Sequence, residues 1–260
     1  MTSRRNVSRR FRVSASPGAV DLSGAIFEAN ADVANVTKDG SNLIGQLNDL
    51  SGNARHATQG TGASKPLWVD NQYASIDGCQ FDTGGVGLKR VLKTGLGTIF
   101  SNYEWTILAI VKADGAPAIN NQHSIIALSN SATGRGGAAI GVYSTTLTRR
   151  VSMVRISDAA AGAATFGTMA TGTWELWTVR VAGTSDGGSA TVTARVNGAS
   201  QATSGTMYSN IVDANGSIIV GPSISTGNSS MLYVRAWNRA LNDASIASAE
   251  TTANATFGIY

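Results

Sequence analysis

Apolar residues in this chain fall in short runs broken by Gly, Asn, Asp and Ser, and within the runs the dominant period is two. The stretch WELWTVRVAGTSDGGSATVTARVNG (174–198) is the clearest case. Trp177, Val179 and Val181 alternate with Thr178 and Arg180; after a Gly/Ser/Asp turn, Val192, Ala194 and Val196 alternate with Thr191, Thr193 and Arg195. This alternation predicts half-buried antiparallel strands, and Asn197-Gly198 predicts a tight hairpin turn, since both residues tolerate positive φ. WTILAIV (105–111) is apolar throughout, the pattern of a central strand buried on both faces. HSIIALS (123–129), AAIGVYS (138–144), RRVSMVRIS (149–157), SIIVG (217–221) and MLYVRAWN (231–238) are further strand-like runs, separated by turn-forming segments.

The period changes near the end. In NRALNDASIASAE (238–250), Asn242 is placed to cap a helix, Leu241 before it can pack on Ile246, and Ala-rich spacing follows. That predicts a short C-terminal helix entered through a hydrophobic staple. Roughly ten to twelve strands with little helix predict an all-β, two-sheet antiparallel sandwich or jelly roll. Without an internal repeat or long linker, the chain divides into an N-terminal arm (1–18) and one domain (19–260).

Composition adds a surface to this core. With 14% charged residues, 30 glycines and 42% hydrophobic residues among 260, the chain pairs an adequate core with an uncharged polar exterior, which suits an extracellular or particle-bound protein better than a cytosolic enzyme. The lone cysteine, Cys79, excludes an intramolecular disulfide, and its strand-like setting predicts a small buried hydrophobe. No apolar stretch is long enough to cross a bilayer and no apolar segment follows the N-terminal basic residues, so neither membrane insertion nor an ordinary signal peptide is expected.

Charge is concentrated at one end. Arg4, Arg5, Arg9, Arg10 and Arg12 lie in a segment without acids, leaving 15 basic against 16 acidic residues elsewhere, a net of −1. The isoelectric point of about 9.4 is therefore largely a property of the arm. A disordered terminus, a nucleic-acid contact and an anchor on an acidic partner all fit such an arm. The nearly neutral body, with no second basic stripe, favours the anchor and argues against sequence-specific nucleic-acid binding.

The most polar loop, LNDLSGNARHATQGTGASKP (47–66), contains one of the two histidines and poses the question of catalysis or architecture. LNDLSGNARHATQ, Pro66 and IDGCQFDTG (76–84), followed in order by EWTILAIVK, WELWTVRVAG with its ARVNG hairpin, and VRAWNRALNDASI, resemble the laminin-G-like jelly rolls of the concanavalin A-like lectin/glucanase superfamily. The segments span about 41–250; Thr83, where that family usually has Gly, is a departure. The resemblance implies that Asp49, Ser51, Gly52, His56 and Pro66 form a structural connection, Asp and Ser capping backbone groups and Gly permitting a tight turn.

The superfamily includes glycoside hydrolases, which carry two acids at alternating positions on one strand. Here Glu28, Glu104, Glu175 and Glu250 stand singly, so no enzyme is expected, although distant acids can converge in space. No Gly-x-Ser-x-Gly elbow, Walker loop or His/Cys metal cluster is present, and GRGGAA (134–139) precedes a β-like run instead of opening a helix. No cofactor or metal is expected; Asp213, Asn215 and Gly216 have the chemistry for calcium at a loop rim, as some laminin-G-like domains do, but a type I turn is the favoured reading.

Sugar binding would use exposed aromatics, for which Trp68 and Tyr208 are the candidates, whereas Trp105, Trp174, Trp177 and Trp237 occupy core-type strand positions. Arm, composition and resemblance together look like a bacteriophage-type virion surface protein, a head decoration, spike or fibre subunit. It would be a homo-oligomer anchored to other virion proteins by the arm, its jelly roll facing host surface polysaccharide. A ligand-free capsid-stabilising protein and a polysaccharide-degrading hydrolase are the competing expectations.

Overall fold

The computed structural model describes residues 19–81, 92–94, 103–115, 122–130, 137–143, 145–154, 161–183, 188–209, 216–221 and 228–260. The arm with Arg4, Arg5, Arg9, Arg10 and Arg12 lies outside them, as do Asp213 and Asn215.

The short apolar runs form strands. In chain order these are β1 (Ala25–Asn30), β2 (Val36–Lys38), β3 (Ile44–Leu47), β4 (Ala57–Thr58), β5 (Leu67–Tyr73), β6 (Ile76–Phe81), β7 (Leu92–Thr94), β8 (Glu104–Ala113) and β9 (Gln122–Asn130). They continue as β10 (Gly137–Tyr143), β11 (Thr148–Val154), β12 (Ala161–Thr168), β13 (Trp174–Ala182), β14 (Gly188–Val196), β15 (Ala199–Gln201), β16 (Met207–Ser209), β17 (Gly216–Val220) and β18 (Ser229–Trp237), followed by α1 (Asp243–Phe257). The extra strands beyond the predicted set include β2, β3, β4, β7, β15 and β16, which are too short to show a period in sequence.

All these strands pair antiparallel, in two sheets. One has the order β15-β14-β13-β8-β18-β6-β5, with β1 also on β18 and β16 on β14; the other runs β12-β11-β10-β9-β17-β7-β4-β3-β2. The sheets stack on one apolar core, to which the first gives Phe27, Phe81, Trp105, Trp177 and Val179 and the second Leu47, Leu92, Ile126, Ile140 and Phe166. Burying each such large side chain stabilises the fold by about 1.5–3 kcal/mol. Cys79 lies in this core, where burial pushes its thiol up to about 12, so it packs as a hydrophobe.

The helix explains the unbroken apolar run of β8. Trp105, Ile107, Ala109 and Val111 face the inter-sheet core, while Leu108 and Ile110 on the opposite face pack with Ile246, Ala249, Ala253 and Phe257 of α1. Asn242 caps α1 through its side chain, which accepts from Ser245 N at 2.8 Å, and Leu241 and Ile246 join the same cluster. The helix runs past Glu250 because Ala249, Ala253 and Phe257, at four-residue spacing, continue its contact with the sheet; Gly258 (φ 61°) ends it. The outward arginines of the β13–β14 hairpin clamp it: Arg180 donates to Leu241 O (2.9 Å) and Asp243 Oδ1 (2.8 Å), and Arg195 Nε to both oxygens of buried Glu250. The next hairpin, β14–β15, turns at Asn197 (φ 49°) and Gly198 (φ 75°), the two positive values that its sequence predicts.

Residues 19–24 are strapped to the same end of the molecule. Arg239 donates to Asp21 Oδ2 (2.6 Å) and to the carbonyls of Asp21 and Ser23, Arg235 and Trp237 donate to Leu22 O, and Asn242 donates to Ala19 O. This strap fixes the entry into β1.

Candidate functional site

The loop after β3 uses its polar atoms internally. Asp49 is buried; Oδ1 accepts from Glu28 N (3.1 Å) and Ser51 N (2.9 Å), and Oδ2 from Arg55 N (2.9 Å). Burial alone would raise this carboxyl, but the hydrogen bonds from Ser51, Arg55 and Glu28 outweigh it and hold it below the usual carboxylate range. His56 Nδ1 accepts from Asp49 N at 3.1 Å, which leaves the neutral ring's proton on Nε2. Asn53 ties the loop to β1 through Ala25 O (2.9 Å), Gly52 turns at φ 87°, and buried Pro66 accepts from Ile44 N (2.8 Å). In this geometry His56 Nδ1 faces a backbone amide.

Three of the single glutamates are bound to arginines. Glu175 takes both Arg149 Nε (2.7 Å) and Nη2 (2.6 Å) across the sandwich, and Trp177 Nε1 at 2.6 Å. Glu250 is held by Arg195, and Glu28 lies 3.3 Å from Arg235 Nε. Among the described residues no group of three or more His, Cys, Asp or Glu is placed to hold a metal, and no helix is long and apolar enough to cross a membrane.

The structure assigns Trp68 to the core, a correction to the expectation that it offers an open face. It is 9% exposed, its Nε1 donates to Ala31 O at 3.0 Å, and Lys38 Nζ lies 4.0 Å from the ring centroid. Tyr208 sits on β16 opposite Ser189, with its side chain outside what the structure describes. Trp105, Trp174, Trp177 and Trp237 are all buried.

Open polar surface occurs instead beside α1. Its C-terminal half borders β1 and β18, leaving a groove in two adjoining parts that share Asn30, Thr256 and Phe257. The first part, about 170 Å³, is lined by Glu28, Asn30, Tyr233, Arg235 and Thr252 together with Phe257. Register creates its polar side: Glu28 pairs with Arg235 and Asn30 with Tyr233 across the β1–β18 ladder. Tyr233 donates to Glu28 Oε1 at 2.7 Å, and burial followed by this bond raises its phenol, which stays protonated. Asn30 Oδ1 accepts from Asn35 Nδ2 (2.8 Å) and Asp32 N (3.2 Å), leaving its amide group as donor. The hydroxyls of Thr252 and Thr256 donate back to Ser248 O and Thr252 O, leaving oxygens that accept.

The second part, about 190 Å³, is lined by Asp32, Ser75 and Asp77 in addition to the shared residues. Asp32 Oδ1 caps Ala34 N (2.8 Å), and the two oxygens of Asp77 accept from Asn71 N (3.3 Å) and Val33 N (3.2 Å). Its rim is the two-residue turn between β5 and β6, where Ala74 (φ 47°) and Ser75 (φ 68°) occupy the left-handed region at about 1–2 kcal/mol each. The groove thus offers carboxylate acceptors, amide and guanidinium donors and hydroxyls beside the apolar Leu108, Ala249 and Phe257, a suitable set for a polyhydroxylated ligand. Glu28 was visible in sequence only as a single acid; Asn30, Asp32, Tyr233 and Thr256 carried no signal, because the pairing that gathers them joins opposite ends of the chain.

No family model matches the chain, and no curated protein matches it by sequence. Solved structures do match in shape. The binding domain of Paraclostridial mosquitocidal protein 1 superposes with a TM-score of 0.58 at 14% identity, over 88% of this chain and 52% of that one. Botulinum neurotoxin type C, whose cell entry is dependent upon interaction with two ganglioside molecules, gives 0.57 at 12% identity over 88% and 51%. Trypanosoma rangeli sialidase gives 0.51 at 14% identity over 91% and 34%. The likeness is one of fold. This chain has a sandwich of two antiparallel sheets and spans about half the length of the matched toxin structures.

Proposed function

We propose that the protein is a non-enzymatic glycan-binding module on a virion surface, held there by its arginine-rich arm, with host cell-surface polysaccharide seated in the α1 groove. The observation that carries this reading is the groove itself: planar polar side chains on paired strands beside an apolar strip, on a fold shared with a ganglioside-dependent toxin. The arm is consistent with anchoring because the residues that follow it are strapped to the domain by Arg239 and Asn242. On this reading the arm joins a symmetric homo-oligomer to neighbouring virion proteins.

A glycan array tests the binding. Wild-type protein binds a defined glycan set, and Thr256→Trp, at an exposed helix position in the groove, abolishes binding with the melting temperature retained. Equal binding by this variant would remove the groove from the reading. Deleting residues 1–12 is expected to abolish particle attachment and leave the domain folded; attachment by the truncated chain would remove the anchor.

A hydrolase is the competing reading, favoured by one observation, that Asp32 and Asp77 line the same space. Both carboxylates accept backbone amides, which suits fixed acceptors better than a proton donor. Release of reducing sugar by wild type, lost in Asp32→Asn, would establish hydrolysis in place of binding.

A further inference from the structure

Charge is divided unevenly along the groove. Beside β18 the Glu28 carboxylate is matched by the Arg235 guanidinium. At the β5–β6 turn, Asp32 and Asp77 line the wall, and among the described residues no basic side chain lines that part. Asn71, which precedes the turn, donates through its backbone amide to Asp77. The backbone amide of Ala34 orients Asp32, and those of Val33 and Asn71 orient Asp77.

We propose that this acidic end selects the class of glycan: sugars without acidic groups are accepted, amine-bearing sugars most strongly, and uronic, sialic and sulfated sugars are rejected. The inference rests on the glycan reading of the groove. A ligand carboxylate or sulfate entering here would lose water while facing fixed charges of its own sign in a half-enclosed space, where the effective dielectric is below that of water. A protonated amine meets the reverse situation. Its three N–H donors find carboxylate oxygens with further lone pairs, since the amides of Asn71 and Val33 take one on each oxygen of Asp77. Neutral hydroxyls are served by the same oxygens as acceptors, with Asn30 and Arg235 supplying donors further along.

The test uses the full chain on an array of neutral, amine-bearing and acidic glycans, in low and high salt, with wild type and Asp32→Asn. The substitution retains a side-chain oxygen to cap Ala34 while removing the charge. Wild type is expected to bind amine-bearing and neutral glycans at least tenfold more tightly than acidic ones. High salt and Asp32→Asn should each narrow that gap, as screening and charge removal require. Acidic glycans among the strongest ligands of the wild type would overturn the charge selection and leave the glycan reading standing. Binding in no class would overturn both. A gap unchanged by salt and by Asp32→Asn would show that shape, and not these carboxylates, makes the selection. Asp77→Asn, checked for folding by its thermal melt, gives a second reading of the same charge.

Discussion

The loop at 49–56 and the groove beside α1 are both polar, both touch β1, and use their hydrogen-bonding capacity in opposite directions. Asp49 sends its oxygens to the amides of Glu28, Ser51 and Arg55, and His56 sends its acceptor nitrogen to Asp49 N. In the groove, Asn30 satisfies two local donors through its oxygen, Thr252 and Thr256 one carbonyl each, and all three retain capacity facing open space. A histidine seven residues from an aspartate thus belongs to architecture, while residues of no motif gather along an open polar groove. Composition does not separate the two; the destination of each hydrogen bond does.

The sharpest break in this contrast is Asp49→Ala. It leaves three inward amides without their acceptor and is expected to cost about 3 kcal/mol in urea unfolding while glycan binding persists in the folded fraction. Acid should act on the same group. Because Asp49 is held below its ordinary 3.8, its contribution is complete above that pH and is lost as pH falls through the lower folded value. Unfolding between neutral pH and about pH 2 should therefore show wild type losing more stability than Asp49→Asn, which has no carboxyl to protonate. His56→Ala removes one acceptor and should cost about 1 kcal/mol, again without effect on ligand. Thr252→Ala reverses the pattern. At this exposed helix position stability should stay within about 0.5 kcal/mol, while affinity for the groove's glycan falls several-fold.

Much of the fold was legible because local rules and tertiary packing agree. The alternation of Trp177, Val179 and Val181 marks the inward face of β13, Asn197-Gly198 marks the turn from β14 into β15, and Asn242 with Leu241 and Ile246 marks the start of α1. Helix length was less legible, since TTANATF has modest helix propensity and is held by Ala253 and Phe257 against the sheet. Trp68 follows a turn-rich segment and so resembles a loop aromatic, yet strand β5 points it inward to Ala31 O. The groove was least legible. Glu28 meets Arg235, and Asn30 meets Tyr233, only because β1 returns to pair with the last strand, a contact without local pattern.

The central claim is that the α1 groove is where the protein meets its ligand. It is tested most directly by titrating fragments of host surface polysaccharide into isotope-labelled protein and following backbone amide shifts. The account predicts that the perturbed amides cluster at 28–33, 74–77, 233–235 and 252–257, with the 49–56 loop unchanged beyond its contact with β1. Shifts centred on that loop or on the second sheet, with the groove silent, would contradict it.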